Sequence, residues 1–183
     1  MTKLFAQQTH KIFLLCLACV SSFVLPNPSW SAQIDRNNLI GLWTCKSIGL
    51  GEGELKSITS TELIRNERDG TYSSEGTTTF NYVFYDVPVE WILFMRTRGR
   101  WSINGNRINA RATFVDIKDR WRFPFYLDVA DYKKNQISQE MRRLGVIRSI
   151  RDLLLKGYEA RMVTQSRDRY VAELMGTTST CYR

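Results

Sequence analysis

Arg100-Trp101-Ser102-Ile103-Asn104-Gly105-Asn106-Arg107-Ile108-Asn109-Ala110-Arg111-Ala112-Thr113-Phe114 is the stretch from which the fold can be read. Asn104-Gly105 suits a tight hairpin turn in which both central residues need positive φ. Beyond it, Ile108, Ala110, Ala112 and Phe114 fall on one face of an extended chain. Arg107, Asn109, Arg111 and Thr113 fall on the other. That period of two is the signature of a strand with one wet face. Two alanines on the inward face predict spare room if the sheet closes into a barrel.

Working outward, strand signals dominate. Upstream, residues 39–48, 58–64 and 71–80 are rich in Ile, Thr, Ser and Tyr. They are separated by the glycine-rich loop 49–53 and the Asp69-Gly70 turn. Downstream, Trp121, Phe123, Phe125 and Leu127 alternate with Arg122, Pro124, Tyr126 and Asp128. This predicts a further strand at an edge or bulge, because Pro124 cannot donate to a ladder. Residues 136–156 change period: Met141, Leu144, Ile147, Ile150 and Leu154 recur at three- and four-residue steps. Gly145 should break or bend this helix. Residues 158–165 and 169–175 return to alternation, joined through Ser166-Arg167-Asp168. The pattern predicts a mainly β fold: one antiparallel barrel with one late helical insertion, which is expected to cover a barrel opening.

The ends speak to compartment. Lys3, His10 and Lys11 precede an apolar run over residues 12–23. Pro26 and Pro28 and the small residues Ser29, Ser31 and Ala32 follow. This reads as a secretory signal over residues 1–32, leaving residues 33–183 as one domain. The run is short for an uncleaved anchor, which needs ~20 apolar residues. Charges scattered through most strands argue against an outer-membrane barrel. Cys16 and Cys19 fall within the signal, whereas Cys45 and Cys181 lie near the two ends of the remaining chain. In an exported protein whose first and last strands are neighbours, this pair is expected to form a disulfide rather than two free thiols.

The chain carries 26 Lys and Arg against 18 Asp and Glu, a formal charge of +8. A basic surface accommodates an anionic membrane face or an acidic protein, and solubility alone also accounts for it. The compartment and the absence of a recognised nucleic-acid fold signature argue against nucleic acid. His10 is the only histidine, so the expected mature chain has none. That removes His general-base chemistry, His-activated nucleophiles and His-bearing zinc sites. Asp116, Asp119, Asp128 and Asp131 could supply a carboxylate pair, but solvated strand-end charges are the plainer reading. No cofactor motif is present, and catalysis is not expected.

Leu39-Ile40-Gly41-Leu42-Trp43 resembles the GxW signature of lipocalins, and residues 100–106 look like the central hairpin of bacterial lipocalin-like (calycin-type) proteins. The resemblance implies that Trp43 lies across the closed end of the barrel with a late basic residue, Arg183 or Arg169, packed on it. Two features depart from it. Ala130-Asp131-Tyr132 stands where the second lipocalin signature has Thr-Asp-Tyr, and the helical stretch precedes the last strands instead of following them.

These readings give two expectations for function. The first is an exported, periplasmic or secreted binder of a small apolar or amphipathic ligand, held in the barrel by Trp91, Phe94, Trp101, Trp121 and Phe123. In the plainer alternative these aromatics only fill the core. Arg142, Arg143, Arg148 and Arg151 form a basic surface toward anions, or simply the wet face of a helix. The second expectation is a protein-binding module of inhibitor or immunity type that uses the basic, aromatic surface.

Overall fold

The computed structural model describes residues 34–84, 86–124, 129–143, 145–174 and 176–183. Alternating stretches form eight strands: β1 (Gly41–Leu50), β2 (Leu55–Asn66), β3 (Thr71–Phe84), β4 (Val87–Asn104), β5 (Arg107–Arg122), β6 (Tyr158–Gln165), β7 (Arg169–Leu174) and β8 (Thr177–Tyr182). Each pairs antiparallel with the next, and β8 returns to β1, so the sheet closes into a barrel. The fold is therefore mainly β with a late helical insertion, as the sequence pattern requires. The signal-like residues 1–32 lie outside the described residues.

Closure places Cys45 directly opposite Cys181 in the β1–β8 register. The two are joined by a disulfide with Cα atoms 4.0 Å apart, across 136 positions of sequence.

The Gly41-Leu42-Trp43 motif builds the sealed end. A 3-10 turn, Arg36–Leu39, is capped by the Asp35 side chain, which accepts from the Asn37 N–H. Gly41 then turns the chain into β1 with φ of 119°, a conformation L side chains avoid. Trp43 is 0% exposed and donates its indole N–H to Leu39 O at 3.0 Å. Tyr170 meets its ring edge-on at 4.8 Å. Arg183 lies over the ring at 4.7 Å and donates to the carbonyls of Asn38 and Ile40. Of the two basic residues considered for this place, Arg169 packs on Tyr182 instead. Trp101 fills the space beside its cross-strand partner Ala110, so the alanine there opens no void.

Three local expectations need correction. The tight turn is Gly105-Asn106, one residue later than the dipeptide predicts: Asn104 still pairs with Arg107, and of the two turn residues only Gly105 has positive φ. Phe114 does not share the face of Ala112. A bulge opposite Arg98 and Gly99 shifts the phase, and Phe114 emerges half-exposed beside the Arg98 guanidinium. Trp121 and Arg122 end β5 rather than begin a new strand, and Phe123 and Pro124 lie beyond it. Residues 125–128 are outside the described residues.

The helical insertion is two helices, α1 (Asp131–Arg143) and α2 (Val146–Lys156), broken at Gly145 with φ of 66°. Its position follows from unequal strands. β5 pairs with β6 only over Arg107–Ala110, so its upper half has no strand neighbour on that side. Helix α2 packs there, and Arg111 Nε donates to Leu155 O at 3.0 Å. Covering an open strand edge with a helix removes unpaired backbone from contact with other chains.

Candidate ligand-binding site

The barrel interior has three zones. The sealed end is the aromatic and disulfide core described above. At the opposite mouth, a second core gathers Phe84, Val89, Trp91 and Leu93 from β3 and β4 with Ile137 and Met141 of α1. Val146, Ile147 and Ile150 of α2 pack against it, as do Trp121 and Phe123. The apolar spacing of the insertion thus meets residues that face into the barrel. Trp91 and Trp121, opposite each other on β4 and β5, stack at 5.3 Å. Phe80 extends the row at 5.4 Å from Trp91. Trp91 Nε1 donates to Asp119 Oδ2 at 3.2 Å, whereas Trp121 Nε1 is buried with no hydrogen-bond partner among the described residues. Burial, with Glu54 adding a like-signed charge, pushes the Tyr82 phenol up to about 12.

A pocket of about 380 Å³ opens where the two helices meet this row. Trp91, Trp121, Met141 and Ile147 supply apolar surface, and Arg142, Arg143, Arg148 and Arg151 line it as well. None of these four guanidinium groups takes part in an ion pair among the described residues. The pocket therefore combines apolar walls with uncompensated positive charge. A second pocket, of about 450 Å³, lies at the rim beside Tyr82, Val89, Phe123 and Pro124. Its own Arg122 and Glu90 form an ion pair at 3.0 Å, which leaves Lys56 as its one cation outside an ion pair among the described residues, against four at the first pocket.

Between the two aromatic ends lies a polar waist. Ser47 pairs with Ser179 at 2.6 Å, Ser74 with Thr97 at 2.7 Å, and Thr78 donates to Ser60 at 3.2 Å. Glu62 also faces inward here, in phase with Ile58, Ser60 and Ile64 of β2. Burial raises its pKa, and Ser74 acts weakly in the opposite direction.

The aromatic residues singled out in the sequence divide three ways. Trp91, Trp121 and Phe123 gather at the mouth. Trp101 belongs to the sealed end, where its N–H donates to Glu67 O at 3.2 Å. Phe94 is 43% exposed on the outer face, because its neighbour Leu93 is buried on the inward phase. Neither Trp101 nor Phe94 can share a cavity with the mouth group. The basic residues Arg142, Arg143, Arg148 and Arg151, expected as a separate surface, stand beside Trp91 and Trp121. Of the acids, Asp119 is held by Trp91, Asp131 pairs with Lys134, and Asp128 is outside the described residues. Sequence reading missed Glu62 and the hydroxyl belt. The signal was present, since residues 58, 60, 62, 64 and 66 alternate in one phase, but a carboxylate on the inward side contradicts the expectation of an apolar interior.

Among the described residues, no group of three or more His, Cys, Asp or Glu side chains is placed to hold a metal ion. Among the same residues, no helix is long and apolar enough to cross a membrane. Compared with known proteins, the chain matches no family model and has no detectable relative among curated proteins.

Proposed function

We propose that this protein is an exported, non-catalytic, lipocalin-like carrier that binds a small amphipathic molecule with an anionic head at the mouth of its barrel. The observation that carries this reading is the pocket in which stacked Trp91 and Trp121 meet four arginines that have no acidic partner among the described residues. An apolar chain gains by covering the indoles and Ile147. A carboxylate, sulfate or phosphate head gains charge-assisted hydrogen bonds from guanidinium groups. The disulfide supports an oxidising compartment, and Arg183 stacked over Trp43 supports the lipocalin-like reading of the sealed end.

Isothermal titration with dodecanoate and with its neutral analogue dodecanol tests the proposal. The account expects the acid to bind more tightly, and Arg142→Ser with Arg148→Ser to lower its affinity by about tenfold while leaving dodecanol unaffected. Equal binding of acid and alcohol by the unmodified protein contradicts it.

One observation favours the alternative, a protein-binding module. Ile48 and Leu50, at the end of β1, are 72% and 92% exposed. Isolated exposed side chains are common, so this reading stands second. Native mass spectrometry of protein from its own host separates the two: a retained small molecule supports the carrier, and a co-purifying protein supports the module.

A further inference from the structure

The polar waist has its own chemistry, independent of the arginine pocket. Glu62 stands opposite Cys45 of β1 and Gly76 of β3. It points into the barrel and makes no ion pair among the described residues. The inward-facing side chains of β1 to β8 described above include no Lys or Arg. A carboxylate taken out of water with no counter-charge is costly, and one is retained most readily where something else supplies the charge.

Three phenols surround this position. Tyr170 places its hydroxyl 3.5 Å from Cys45 Sγ, the residue facing Glu62. Tyr72 precedes Ser74 and Gly76 on the same inward phase of β3. Tyr158 packs against the sealed-end core from β6. Glu62 raises the pKa of all three, behind the larger effect of burial, so its charge is felt by each ring. Tyr72 is 6% exposed, and its hydroxyl has no hydrogen-bond partner among the described residues. The Thr97 hydroxyl that acts on it is already paired with Ser74.

The waist is not fully sealed. Ser60, Glu62, Ile64, Gly76, Tyr158 and Ser179 face inward yet keep partly accessible surface. Gly76 contributes no side chain opposite the carboxylate, and a Cβ there would run into the β2 backbone at Thr61 O and Glu62 Cα, so the two strands approach closely at this point. The combination is an inward carboxylate among three phenol rings and a belt of hydroxyls. That is the chemistry that recognises an ammonium group: a counter-ion, aromatic faces for cation–π attraction and oxygens to accept N–H bonds.

We propose that the waist of the barrel is a binding site for a small organic ammonium ion, with the Glu62 carboxylate as its counter-ion and Tyr72, Tyr158 and Tyr170 as its walls. An amine seated there satisfies the carboxylate and can accept no bond itself, so Tyr72 Oη serves it as an oxygen acceptor. The four arginines at the mouth select the opposite sign, and the two sites take different ligands.

Calorimetric titration of the whole protein with phenethylammonium, tetramethylammonium and the neutral 2-phenylethanol tests this. The proposal expects phenethylammonium to bind at least about tenfold more tightly than the alcohol. Glu62→Gln should erase that preference without disturbing the circular dichroism spectrum, and Tyr72→Phe should weaken amine binding while keeping the ring. Arg142→Ser with Arg148→Ser should leave amine binding unchanged, which separates this site from the mouth. Equal affinity of the unmodified protein for amine and alcohol overturns the proposal, and this comparison needs no variant to fold. Amine preference that survives Glu62→Gln also overturns it.

Discussion

The two ends of the barrel solve closure differently. At the sealed end both tryptophans are engaged, Trp43 with Leu39 O, Tyr170 and Arg183, and Trp101 with Glu67 O and the Arg36 guanidinium. The exception in this core is the Tyr72 hydroxyl, which has no hydrogen-bond partner among the described residues. The disulfide locks the same end covalently. At the mouth, closure rests on two helices laid over an aromatic row. Among the described residues, Trp121 Nε1 is left without a partner there, and four arginines are left without acids. A core built for stability alone satisfies its polar groups. The contrast therefore assigns stability to one end and recognition to the other, and each assignment can be attacked separately.

The largest effect should come from the sealed end. Replacing Cys45 and Cys181 by Ala frees a loop of 136 positions in the unfolded chain, which costs about 5 kcal/mol on the loop-entropy account. Urea denaturation reads this directly. The folded fraction should still bind dodecanoate normally, because neither sulfur touches the mouth. A loss of affinity equal to the loss of stability would erase the distinction between the ends.

Next comes the helical cover. Ile147→Asp with Ile150→Asp puts two carboxylates against Trp91 and Trp121. It should destabilise the protein by about 2 kcal/mol and expose apolar surface to an environment-sensitive dye. Normal stability with no new dye binding would show that α2 does not help to close the mouth.

Glu62→Gln should act in the reverse direction. Burial raises the Glu62 pKa in the folded state, so the protonated form is favoured by folding. Its contribution is fully present below the unfolded pKa and is lost as pH rises through the folded one. The groups facing it, Tyr72, Tyr158 and Tyr170, stay neutral over that range because their pKa values are raised. The Gln variant should therefore melt higher than the parent at neutral pH, and the gap should close toward about pH 4. A gap independent of pH would place Glu62 in water. The smallest effect belongs to the mouth arginines: Arg142→Ser with Arg148→Ser should change stability by no more than about 0.5 kcal/mol, since neither forms an ion pair among the described residues.

Much of the fold was legible because it rests on local patterns. Alternation in residues 107–112 and the helical spacing of Met141, Ile147 and Ile150 placed the hairpin and the insertion. The two cysteines marked the seam between first and last strands. What escaped reading depends on phase and on neighbours. A single bulge turned Phe114 outward, and Leu93 took the inward phase that leaves Phe94 outside. Trp91 and Trp101 share the inward phase of one long strand, β4, and the length of strand between them carries them to opposite ends of the barrel. The arginine pocket needed the tertiary fold as well, since residues 142–151 reach Trp121 only when the helices cover the β5 edge.

Quenching by a fatty acid brominated along its chain compares the two ends in one measurement. One variant keeps only the mouth indoles, by Trp43→Phe and Trp101→Phe, and a second keeps only the sealed-end indoles, by Trp91→Phe and Trp121→Phe; both also carry Trp30→Phe. The account predicts saturable quenching in the first and none in the second, because the bromine atoms lie against Trp91 and Trp121. Equal quenching in both variants, or quenching only in the second, would contradict it.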